Sequence, residues 1–117
     1  MKLSTVKEIL NARVLTGDES LDREVDFAFG SDLMSDVLAF VNNRVMLLTG
    51  LINPQVVRTA EIMDISAIVF VRGKCPDESV VELAKSKDIA ILSTDYTLYV
   101  ASGKLYQNGL LGEREEV

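Results

Sequence analysis

The stretch "VMLLTGLINPQVVRTA", residues 45–60, decides the fold. Val45 to Leu48 is an unbroken apolar run of strand length, and such runs belong to strands covered on both faces. Thr49-Gly50 breaks the run. Asn53 then stands where an N-cap accepts from free helix N–H groups, Pro54 fits the first helical position, and Val56, Val57, Ala60 and Met63 recur on one helical face. The same strand-then-helix unit returns as "AIVFVRG" (67–73) with "PDESVVELAKSK" (76–87), and as "IAILSTD" (89–95) with "TLYVASGKLYQ" (97–107). Upstream, "EVDFAFG" (24–30) reads as a strand burying Val25, Phe27 and Phe29. It leads into the amphipathic helix "SDLMSDVLAFV" (31–41), with Ser31 or Asp32 as cap and Met34, Val37, Leu38 and Val41 inward.

Alternating strands and helices predict a three-layer α/β sandwich around a mostly parallel sheet of about five strands, Rossmann-like, with crossover helices covering both faces. At the amino end, Thr5 and Glu8 have capping-box spacing over a helix burying Val6, Ile9 and Leu10. "ARVLTG" (12–17) is a brief strand. The turn from it to "EVDFAFG" is too short for a crossover, so these two strands are expected to pair antiparallel or to lie at the sheet edge. Residues 1–110 read as one domain and 111–117 as a flexible tail. Met34, Met46 and Met63 fall on inward positions as core filling.

Composition narrows function. Eighteen acidic against twelve basic residues give a net charge of -6, which argues against nucleic acid and anionic membrane as partners. The chain has no histidine and a single cysteine, Cys75, which removes the commonest general base, the Ser-His and Cys-His pairs and any multi-cysteine zinc site. No cofactor is called for. The opening residues lack a signal-type apolar core and no stretch is long enough to span a bilayer, so a cytoplasmic protein is expected.

Parallel strands end on one sheet edge, which gathers four corners: "FGSD" (29–32), "LTGLIN" (48–53), "VRGKCP" (71–76) and "LSTDYT" (92–97). Each joins a glycine or small hydroxyl residue to the first turn of a helix, where unpaired N–H groups suit an anion. Thr49, Gly50, Arg72, Gly73, Lys74, Ser93 and Thr94 are therefore the candidate ligand-binding residues, with Arg72 and Lys74 the cations and Asp32 and Asp95 opposing them. Each hydroxyl also has a plain reading as a cap, and each glycine as a turn. Neither a G-x-x-x-x-G-K-[ST] nor a G-x-G-x-x-G motif is present, so a P-loop is excluded. Cys75, just before Pro76, can cap the next helix but has no partner base.

Asp22-Arg23 in "SLDREV", Thr49-Gly50 in "LLTG" and Gly73 in "DISAIVFVRGKCPDESVVELAKSKDIAILSTDYT" form an ordered set, and the chain resembles the DRTGG domain over nearly its whole length. That family occurs within some phosphate acetyltransferases and CBS-containing pyrophosphatases, and is similar to the amino-terminal domain of HPr kinase/phosphorylase. Catalysis there resides in other domains. The resemblance implies a regulatory or assembly module associated with subunit contacts, with Asp22, Arg23, Thr49, Gly50 and Gly73 as signature positions. It implies no role for Cys75, and without a P-loop no kinase activity transfers.

The leading expectation is thus a stand-alone regulatory and dimerisation module that senses a small anionic or nucleotide-like ligand, and a homodimer follows from a 48% hydrophobic composition in so short a chain. One alternative is a small enzyme with Asp32 or Asp95 as base and Arg72 and Lys74 holding an anionic substrate. Another is a scaffold for a partner enzyme, with no ligand of its own.

Overall fold

The computed structural model describes residues 1–40 and 44–112. In chain order the elements are α1 (Leu3–Leu10), β1 (Arg13–Val14), a single 3-10 turn (Asp18–Ser20), β2 (Phe27–Gly30), α2 (Met34–Phe40), β3 (Val45–Thr49), α3 (Pro54–Ile62), β4 (Ala67–Phe70), α4 (Glu78–Ser86), β5 (Ala90–Ser93) and α5 (Leu98–Gln107). The five strands form one sheet in the order β1-β5-β4-β3-β2. β2 to β5 run parallel, and β1 is antiparallel to β5 with Arg13 opposite Ser93. The expected mostly parallel α/β sheet is the one observed.

Every residue of β3, β4 and β5 is buried, as their continuous apolar runs require. Alternate side chains serve two cores. Met46, Leu48, Val69 and Leu92 pack toward α1 and α5, while Leu47, Ile68, Phe70 and Ile91 pack toward α2, α3 and α4. The layering differs from the expected one in its origin. Strands β2 to β5 lie side by side in chain order, so right-handed crossovers send α2, α3 and α4 to a single face. The other face is covered by the two terminal helices, which pack on each other.

Of the two expected placements for β1 and β2 the edge is the one observed: they do not pair with each other and occupy opposite edges of the sheet. Several other local expectations are corrected by tertiary contacts. Val25 buries on the α1 side, whereas Phe27 and Phe29 face the other core, because Val25 precedes β2 and the strand alternation does not reach it. Helix α1 starts at Leu3, with Lys2 as N-cap and no side-chain cap. Its first N–H groups are taken instead by Arg23 O (2.9 Å from Leu3 N) and Leu21 O (3.0 Å from Ser4 N), so the Thr5–Glu8 capping box has no role. Asn53 and Pro54 do open α3 as expected, Asn53 accepting from Gln55 N at 3.0 Å. Met34 and Met46 are buried, and Met63 packs half-buried at the end of α3.

Leu111 pairs with Phe27 along the free edge of β2, its carbonyl accepting from Ala28 N at 2.9 Å. Val41 and residues 113–117 of the expected tail lie outside the described residues. No helix among the described residues is long and apolar enough to cross a membrane.

Candidate functional site at the carboxyl edge

Open α/β sheets form a crevice where neighbouring strands send their chains to opposite faces. Here that place lies between β4, which feeds α4 on one face, and β5, which feeds α5 on the other. The two corners are clasped across it by main-chain bonds: Arg72 N donates to Tyr96 O and Gly73 N to Thr94 O, both at 2.8 Å. The clasp needs left-handed backbone at two successive residues, Arg72 (φ 61°) and Gly73 (φ 69°). Gly73 meets this freely; Arg72, as an L-residue, is held there against its preference. The Arg72 and Lys74 side chains are thereby left exposed at the rim.

Gly50 works differently. Its backbone is not left-handed, but a Cβ built there would lie 2.5 Å from Arg72 Nη2. The guanidinium therefore rests against the bare main chain of the β3 corner, and close approach, rather than turn geometry, is why glycine fits. Asp32 holds that same corner: its Oδ1 accepts from Gly50 N at 2.7 Å and from Thr49 Oγ1 at 3.1 Å. It acts across to β3 instead of capping α2. Ser31 forms a turn just ahead of α2, its hydroxyl accepting from Leu33 N at 3.0 Å, and caps no N–H of the helix itself among the bonds of the described residues.

The hydroxyls lie behind the rim. Thr49 is fully buried and also accepts from Leu51 N at 3.1 Å. Ser93 donates to Lys74 O at 2.8 Å, and Thr94 donates to Leu10 O at 2.6 Å while accepting from Tyr96 N at 3.3 Å. All three fix corner backbone, so the structure gives them support roles beneath the cations. Cys75 is exposed and does not cap α4, whose N-cap is Asp77.

Arg13 completes the rim. Its Nη2 lies 3.4 Å from Cys75 Sγ and 3.5 Å from Ser93 Oγ. Nothing in the local sequence marks it; only the antiparallel docking of β1 on β5 brings it there across eighty positions of chain. Ion pairs among the described residues join Arg23 to Asp88, Arg44 to Asp26, Lys85 to Glu82 and Lys87 to Glu61, and none engages Arg13, Arg72 or Lys74. Three cations without an ion-pair partner among the described residues thus gather at one edge of an acidic chain, where Asp32 at the Gly50 corner and Asp95, its Oδ1 3.2 Å from a Cβ built at Gly73, are the exposed carboxylates nearby. No group of three or more potential metal ligands occurs among the described residues.

Arg23 is elsewhere. Its guanidinium donates to Ser66 O (2.8 Å), Asp88 O (2.9 Å) and Asp88 Oδ1 (2.9 Å), tying together the loops that enter β4 and β5 at the amino edge. Hollows of about 300 and 390 Å³ flank it. Asp22 beside it is exposed. The signature residues thus split between two ends of the sheet, separated by a four-residue strand of about 13 Å.

A family profile described as the DRTGG domain matches residues 5–107. The chain belongs to the DRTGG family. No curated protein sequence matches it. Among solved structures, the CBS and DRTGG domains of the regulatory region of a Clostridium perfringens pyrophosphatase, complexed with the activator diadenosine tetraphosphate, superpose with a TM-score of 0.77 at 16% identity. The match covers 99% of this chain and 52% of that one, so the chain spans about half the length of that regulatory fragment. At this identity the likeness shows a shared fold. In this DRTGG chain the fold places Thr49, Gly50 and Gly73 at the carboxyl edge and Arg23 at the amino edge.

Proposed function

We propose that this DRTGG protein is a cytoplasmic regulatory module, with no catalytic machinery of its own, that binds an anionic, nucleotide-like ligand at the carboxyl edge and acts as a homodimer on a partner enzyme. The observation that carries the reading is the rim itself: Arg13, Arg72 and Lys74 without carboxylate partners among the described residues, beside the bare main chain of Gly50 and Gly73 at the fold's switch point. Phosphate oxygens suit such a rim, because guanidinium forks bind them bidentately and glycine lets backbone come close. The diadenosine tetraphosphate held by the regulatory fragment of similar fold supports a nucleotide polyphosphate as the ligand class. Asp32 spends its Oδ1 on the β3 corner, which favours this reading over an enzyme that uses it as a base.

Melting curves with ATP, diadenosine tetraphosphate or adenosine test it. A ligand that binds the native state raises the melting temperature with concentration. The two nucleotides are expected to do so and uncharged adenosine is not, with the effect lost in Arg72→Ala/Lys74→Ala. Equal shifts for wild type and the double variant would remove the carboxyl edge from the function.

A further inference from the structure

Helix α5 presents Tyr99, Ser102, Gly103 and Tyr106 on one exposed stripe, at the i, i+3, i+4, i+7 positions that face one way. Tyr99 is 88% and Tyr106 58% exposed, an unusual outlay of aromatic surface for a helix whose other side is core. Gly103 is the second anomaly. A Cβ built there meets nothing within 4 Å, so no neighbour among the described residues requires glycine, although alanine would favour the helix.

The order of these residues resolves both. Tyr99 and Tyr106 stand equally far along the helix from the midpoint of Ser102 and Gly103, so an isologous antiparallel contact about a twofold axis at that point sets each tyrosine against the other one in a second copy. The geometry points to a second copy of this chain as the occupant of this face, α5 crossing α5 of the partner antiparallel with the axis between Ser102 and Gly103. Tyr99 of each copy then lies against Tyr106 of the other, and the notch at Ser102 and Gly103 lets the two helices approach.

Charge selects the same occupant. From Tyr96 to Gly112 the sequence has no Asp or Glu, and its single charge, Lys104, lies over the Tyr96 ring at 5.0 Å. Two chains of net charge -6 repel across most of their surface and least here. A basic partner would find no carboxylate to pair with. The patch continues into an apolar hollow of about 260 Å³ between α5 and β2, lined by Phe29, Leu105, Tyr106 and Leu111. A ten-residue helix is only about 15 Å long, a short seam beside the roughly 800 Å² per partner of standard interfaces, so a concentration-dependent dimer is expected.

This inference rests on the homodimer reading above, and sedimentation from one to one hundred micromolar separates the two. Wild type is expected to dimerise with rising concentration. Gly103→Glu sets two carboxylates beside the axis in space that is open in the single chain, and Tyr99→Ser removes a side chain almost wholly in solvent; each is expected to weaken dimerisation at least tenfold with circular dichroism unchanged. In a Cys75→Ser background, Gly103→Cys is expected to form a disulfide-linked dimer on mild oxidation. A wild-type dimer untouched by both substitutions overturns the α5 interface and leaves the homodimer standing. A wild type monomeric throughout overturns both.

Discussion

Gly50 and Gly73 look alike in the sequence and are glycine for different physical reasons. Gly73 sits at φ 69°, where a side chain is strained whatever the space, so Gly73→Ala is expected to cost about 1–2 kcal/mol in denaturant unfolding. Gly50 has an ordinary backbone, and a Cβ there meets only the far end of the exposed Arg72 side chain, which can move. Gly50→Ala is therefore expected to stay within about 0.5 kcal/mol of wild type while weakening nucleotide binding by displacing the guanidinium. Thr49→Val leaves Leu51 N without its acceptor in a buried corner, and about 1–2 kcal/mol of stability is expected to go with it. Calorimetric titration with ATP, paired with unfolding curves on the three variants, checks all three expectations. If Gly50→Ala proved as costly as Gly73→Ala, the close-approach account of Gly50 would be wrong.

At the scale of elements, the strands and the α3 boundary were legible because they are local: apolar runs define β3, β4 and β5, and Asn53-Pro54 is a cap with its own geometry. The start of α1, the side taken by Val25 and the placement of β1 were not. Each is settled by partners distant in sequence, such as Arg23 O over Leu3 N and β5 beside β1. The same division holds for the site. Arg72 and Lys74 were readable from a strand end, whereas Arg13 reached the rim only through a long-range strand pairing. Arg23, flagged by family resemblance alone, proves to be a clamp between elements. Arg23→Ala is expected to lose about 1–3 kcal/mol, since two loop carbonyls lose their donor, and Arg23→Lys is not expected to restore it because one ammonium cannot reproduce the fork. Asp88→Asn, which keeps a residue tolerant of φ 58° and removes an ion pair whose carboxylate is 93% exposed, is expected to change little. A large loss in Asp88→Asn would mean that the ion pair, and not the carbonyl clamp, is what Arg23 supplies.

For the molecule as a whole, the sheet separates two tasks. Its amino edge is closed by Arg23 and shapes the fold, its carboxyl edge carries cations without ion-pair partners among the described residues, and the acid-free α5 face is the one proposed to meet a second copy. An acidic chain with a local basic rim attracts small anions to that rim while repelling extended polyanions, and the attraction is expected to fade as salt screens it. The central claim is that ligand recognition lies at this rim. Titrating diadenosine tetraphosphate into the ¹⁵N-labelled protein and following backbone amide shifts tests it most directly. The account predicts saturable shifts concentrated at Gly50, Leu51, Arg72 to Cys75 and Thr94 to Tyr96, collapsing in Arg72→Ala/Lys74→Ala. Saturable shifts centred instead on Arg23, Ser66 and Asp88, or none at millimolar ligand, would contradict it.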